Sequence, residues 1–122
     1  MSTGIVMINE ERTRQQRAEG WTSQHDDAHT AGELALAAAC YASPIPIRGL
    51  VWLNDVPCSC RSAEECTHAV FAKQEWRDPW PWDEKYDKRN KHSRLKQLVI
   101  AGALIAAEID RINRMAEQEE YR

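Results

Sequence analysis

Between residues 93 and 118, apolar side chains recur at three- and four-residue steps: Leu95, Leu98, Val99, Gly102, Ile105, Ile109 and Ile112. That spacing places them on one stripe of an α-helix. A helix of this length approaches roughly 40 Å at 1.5 Å per residue, so it forms a spine that the rest of the chain must pack around. A chain of 122 residues is large enough for one core and too small for two, so residues 1–122 read as a single domain.

Two further helices suit that spine. The first covers residues 9–19, is strongly polar, and stops at Gly20, a residue favoured just past a helix end. With so few apolar positions it is expected to pack through Ile5, Ile8, Ala18 and Trp21 near its ends. The second starts at Thr30, which forms a reciprocal capping box with Glu33. Its body, Leu34 to Ala42, has almost no polar side chain. Such a helix is buried and lets its neighbours approach closely. Pro44 and Pro46 end it. The fold class is therefore all-α, a compact helical bundle with a long C-terminal helix.

Residues 43–92 form an irregular, insertion-like middle region with room for a short strand pair. Residues 50–53 read as a strand, followed by a turn at Asn54-Asp55. Ser62 and Glu65 form a second capping box that opens a short helix running to Trp76. The prolines make residues 78–83 extended, with Trp80 and Trp82 expected to lie over the helical core.

Composition narrows the function. The net charge of -3 argues against broad nucleic-acid binding, which needs a surplus of Lys and Arg. Direct DNA binding is not expected, because no helix is basic along an exposed amphipathic face. The N-terminus lacks an apolar leader-type segment, and no run reaches the roughly 20 apolar residues of a membrane span. The expected location is the cytoplasm, that of the host cell if the gene is phage-borne. Cysteines there are reduced thiols or metal ligands. Cys40 falls inside the second helix and reads as core.

Two clusters carry candidate chemistry. Cys58, Cys60, Cys66 and His68 have the ligand types of a zinc site. Their C-x-C and C-x-H spacings, however, point neighbouring side chains to opposite sides of a strand or helix. The other cluster is His25, Asp26, Asp27, His29 and Glu33. Oxygen-rich sets of this kind suit Mg, with Asp26, Asp27 and Glu33 as ligands. Acidic residues before a helix are equally suited to capping it. Lys85, Lys88, Arg89, Lys91, Arg94 and Lys96 crowd into the approach to the spine helix, whose free N–H groups favour phosphate.

Several motifs together resemble a group of small phage and prophage proteins. They are Glu11-Arg12-x-Arg14-Gln15, the run from Glu19-Gly-Trp-Thr through His25-Asp26-Asp27-x-His29 to Gly32-Glu33-Leu34-Ala35, Trp80-Pro-Trp82-Asp83, and the spine segment from Arg94-Leu95 to Ile109-Asp110-Arg111. A fainter resemblance extends to MazG-like nucleoside triphosphate pyrophosphohydrolases, which are all-α, depend on Mg and generally build their bundle from two chains. Of that family's first acidic motif only Glu33 is present here, and the acids of the second arrive late, at Glu108 and Asp110.

Two functions follow. One is a non-catalytic phage-type accessory protein that binds a nucleotide or a host protein, with tryptophans as anchors. The alternative is a MazG-like Mg-dependent pyrophosphohydrolase. In it Asp26, Asp27 and Glu33 hold the metal, His25 or His29 orients water, and Arg89 and Arg94 neutralise phosphate, while Trp21 or Trp82 stacks on the base. An exposed side on the spine helix would also permit a homodimer.

Overall fold

A computed structural model describes residues 2–52 and 74–120. Among these the chain forms two units, residues 1–44 with 80–122, and residues 45–79. The first unit is built from four α-helices.

Helix α1, Gly4–Ala18, begins five residues earlier than its sequence suggests, because Thr3 caps it by accepting from the Val6 N–H at 3.3 Å. It ends where expected, with Gly20 in the left-handed region at φ 72°. The expected apolar anchoring holds in part: Ile8 lies against Gly102 of the C-terminal helix and Trp21 packs on the core, whereas Ile5 is 82% exposed and Ala18 is exposed too. The buried residues of α1 are the hydrogen-bonded Glu11, Arg12 and Gln15.

The acidic segment forms a helix of its own, α2, Ser23–Asp27, capped by Thr22. Helix α3, Glu33–Ala42, is capped by Gly32 at φ 81° and not by Thr30. The capping box fails because the Glu33 carboxylate folds back to accept from the Ala31 N–H at 2.6 Å and meets His29 Nδ1 at 3.0 Å. Ser43 is extended at ψ 131°, as the residue before a proline must be, and α3 stops there.

Helix α4, Arg94–Glu120, is the expected spine, packed against α1 and α3. Its inward face is not the predicted stripe. Leu34, Ala37, Ala38 and Tyr41 of α3 meet Ile100, Ala101, Leu104 and Ala107 of α4, so the seam is rich in alanine. Small side chains bring the two helices close and keep contact continuous. Of the predicted stripe, Val99 is buried and Gly102 lies under Ile8, where an added Cβ would come within 2.5 Å of Ile8 Cδ1. Leu95, Leu98, Ile105, Ile109 and Ile112 are exposed. Cys40 is buried, as expected, and the Trp80 and Trp82 indoles do pack on the α3–α4 core. No helix among the described residues is long and apolar enough to cross a membrane.

In the second unit, β1, Gly49–Trp52, pairs antiparallel with β2, Gln74–Arg77, with Leu50 opposite Trp76. The helix expected to end at Trp76 is therefore a strand over its last residues. Its beginning, and the turn at Asn54-Asp55, lie outside the described residues.

Candidate functional site

The first unit contains a cavity of about 540 Å³, within the size range of small-molecule sites. Its wall is a chain of six rings in unbroken contact. Trp21 lies parallel to His25 with centroids 5.7 Å apart, and His25 meets His29 edge-on at 4.9 Å. His29 then contacts Trp82 at 5.2 Å, Trp82 contacts Trp80 at 5.5 Å, and Trp80 contacts Tyr41 at 5.8 Å. Ile100 and Leu104 of α4 form the apolar base.

Local sequence explains how these rings converge. Thr22 starts α2 immediately after Trp21, and one turn of helix then separates Trp21 from His25 and His25 from His29. The two prolines flanking Trp80 keep the 78–82 backbone extended, so Trp80 and Trp82 both reach the α3–α4 seam. The Tyr41 hydroxyl accepts from the Lys88 N–H at 3.2 Å and ties residues 84–91 to α3. Burial pushes the Tyr41 hydroxyl pKa up, which keeps it protonated.

Polar groups line the cavity as well. Glu11 is almost wholly buried and accepts from both Arg14 Nε at 2.9 Å and Arg14 Nη2 at 2.8 Å. It also accepts from Gln15 Nε2 at 3.0 Å and from Lys96 Nζ at 2.7 Å. Burial alone would raise its pKa. The hydrogen bonds and charges of Arg14 and Lys96 outweigh that and lower it from 4.5 to about 2. The ionised Glu11 can only accept, so the Gln15 amide nitrogen must face it. That leaves Gln15 Oε1, and likewise Trp82 Nε1, buried with no hydrogen-bond partner among the described residues. Both residues line the cavity, as do the cationic Arg14 and Lys88 and the imidazole of His92.

The two histidines reached by sequence reasoning sit in this wall, each held by a carboxylate. His25 Nδ1 is 3.1 Å from Asp26 and His29 Nδ1 is 3.0 Å from Glu33. Trp21 and Trp82, the expected stacking residues, line the cavity as well.

The three carboxylates proposed as Mg ligands are not brought together. Asp26 is buried and accepts from Arg12 Nη2 at 3.0 Å. Asp27 accepts from Arg114 Nη2 at 2.7 Å, which raises the Arg114 pKa. Glu33 is spent on His29 and the α3 start. Burial would raise its pKa, but those hydrogen bonds outweigh it and lower it. Among the described residues no group of three or more Asp, Glu, His or Cys is placed to hold a metal ion. Each acid here was legible as an acid, but not the cation that each one meets.

The two arginines expected to hold phosphate have other work. Arg94 donates to the carbonyls of Tyr41, Ala42 and Ser43 and so closes the C-terminus of α3. Arg89 makes a two-pronged contact with Asp87, which lowers the Asp87 pKa, and lies 5.4 Å over the Trp80 ring. Cys58, Cys60, Cys66 and His68, the proposed zinc set, lie outside the described residues.

Sequence reasoning missed Glu11, Gln15, Tyr41 and Trp80 as parts of the site, and had Lys88 only as one of a basic cluster. The available signal was the four-residue step from Glu11 to Gln15 on a helix with little apolar support, which is what a buried polar face looks like. No protein-family model, no curated protein and no solved structure matches this chain.

Proposed function

We propose that this chain is a non-catalytic accessory protein of the phage or prophage kind that binds a nucleotide, with the ring-lined cavity holding the base. The observation that carries this reading is the run of six contacting rings in a cavity that Gln15 and Lys88 also line. Every nucleobase offers a π-face to such a wall, while the Lys88 ammonium suits phosphate oxygens; Arg14 is held by Glu11 and Glu19. The pyrophosphohydrolase alternative needs carboxylates converging on one cation, whereas Asp26, Asp27 and Glu33 are each committed to a separate partner.

The test is tryptophan fluorescence titration with a panel of nucleosides and nucleoside mono-, di- and triphosphates, with pyrophosphate release followed in parallel with Mg present. The expected result is saturable quenching without turnover. Trp82→Ala and Trp21→Ala each weaken binding about 5- to 100-fold, the loss typical of one base–ring stack. Pyrophosphate release would overturn the non-catalytic part. Absence of binding by every nucleotide would overturn the reading and leave a host protein as the partner.

A further inference from the structure

Two residues of the cavity lining each carry a buried atom with no hydrogen-bond partner among the described residues, Gln15 Oε1 and Trp82 Nε1. Other polar groups around the cavity are engaged. Arg14 is held by Glu11 and Glu19, and Trp80 Nε1 donates to the Asp83 carbonyl. A buried donor or acceptor left unpaired is costly, and nearly all such groups in folded proteins find a partner. Two of them on residues that share one cavity point to a partner that is bound there rather than built in.

The character of each atom is fixed. Gln15 is 1% exposed, and its Nε2 donates to Glu11 Oε2 at 3.0 Å. The ionised Glu11 carboxylate can only accept, so the amide cannot turn over and Oε1 remains an acceptor. The indole N–H of Trp82 can only donate, and its ring is held in contact with both His29 and Trp80. The fitting ligand is therefore a flat ring with an N–H for Gln15 and a lone pair for Trp82. Nucleobases carry both on one edge, and a base lodged among aromatic side chains is read through that edge.

We infer that Gln15 and Trp82 select the base: Gln15 Oε1 accepts an N–H of its edge, Trp82 Nε1 donates to a ring nitrogen or carbonyl oxygen, and bases whose edge N–H is methylated are rejected. This rests on the nucleotide-binding reading and adds its two specificity-determining residues. Stacking on the rings is common to all bases, whereas the edge contacts demand a free N–H.

Isothermal titration calorimetry of the full chain tests this with uridine, inosine and adenosine monophosphates. Each is compared with the form methylated at its edge N–H, and adenosine with the form dimethylated on its amino group. Methylation should weaken binding about ten- to a hundredfold, the loss expected when a buried polar group is left without its partner. In Gln15→Met the unmethylated nucleotide should weaken by a similar factor, and methylation should then cost little, because both changes remove the same bond. Trp82→Phe keeps a stacking ring without the N–H and should weaken both members of a pair about tenfold. The comparison of ligands on the native chain needs no substitution, so it decides the matter even where a variant does not fold. Equal binding of both members of each pair overturns the inference and leaves nucleotide binding standing. A methylation penalty that persists in Gln15→Met is steric and overturns it as well. Absence of binding by all six nucleotides overturns the nucleotide reading itself, and this inference with it.

Discussion

Buried ionic residues fix the contacts of α1, and two of them carry measurable consequences. Glu11 holds a pKa of about 2 against 4.5 ordinarily. A lowered pKa means its stabilising effect is complete above about pH 4.5 and is lost as pH falls through 2. Allowing for solvent screening of the partly exposed Arg14 and Lys96, the effect is on the order of 2 kcal/mol. Glu33 and Asp87 are lowered too and act in the same direction. Urea unfolding from pH 7 to pH 2 should therefore show Glu11→Gln less stable than the native chain at pH 7, with the difference vanishing near pH 2. A constant difference at all pH values would show that the Glu11 charge contributes nothing. Asp26→Asn is the harsher change, since it leaves the buried Arg12, whose Nε and Nη1 have no hydrogen-bond partner, with only the exposed Asp110 carboxylate at 3.9 Å. We expect a loss of about 3–5 kcal/mol in the same assay, largely recovered by also replacing Arg12 with Met.

At the scale of elements, helices were legible where a local rule acts alone. The stop at Gly20, the α3 body and its end at Pro44, and the length of α4 all follow from such rules. Faces were not legible, because alanine gives no contrast in a periodicity count and a row of β-branched residues does. The α3–α4 seam uses alanine, so the more conspicuous stripe of α4 faces outward. Thr30 and Glu33 matched a capping box, yet Glu33 had a closer partner in His29. In the site, Trp21, His25, His29 and Trp82 were legible from sequence as candidate residues, but their contact with one another was not. The commitment of Asp26 to Arg12 and of Asp27 to Arg114 was not legible either, since these pairs span 14 and 87 residues. Gly102 offers a direct check on the α1–α4 crossing. Gly102→Ala gains about 1 kcal/mol of helix propensity but drives a Cβ into Ile8. It should destabilise the native chain and stabilise an Ile8→Ala chain, a reversal of sign that thermal unfolding of the four variants reads directly.

For the whole molecule, the cavity assembles from stretches that are distant in sequence: residues 11–15 of α1, 21–29 around α2, Tyr41 of α3 and 80–92. Specific bonds also join them. Tyr41 holds Lys88, and Trp80 Nε1 donates to the Asp83 carbonyl at 3.2 Å. A ligand that touches both the rings and the polar groups would add links between these stretches and so slow their local opening. Under the nucleotide-binding reading, ligand at 100 times its dissociation constant should stabilise the fold by about 2.7 kcal/mol. Hydrogen exchange should slow together in residues 21–29 and 80–92. Because Asp26, Asp27 and Glu33 do not converge on a cation, chelation of divalent ions should leave both effects unchanged. Tyr41→Phe removes the acceptor of the Lys88 N–H and should speed exchange in 84–91 without ligand, by about the five- to tenfold that a hydrogen bond of roughly 1 kcal/mol implies. Ligand protection confined to one stretch would mean that the rings and the polar groups do not share a ligand. Protection that disappears on chelation would restore a metal to the site and, with it, the hydrolase alternative.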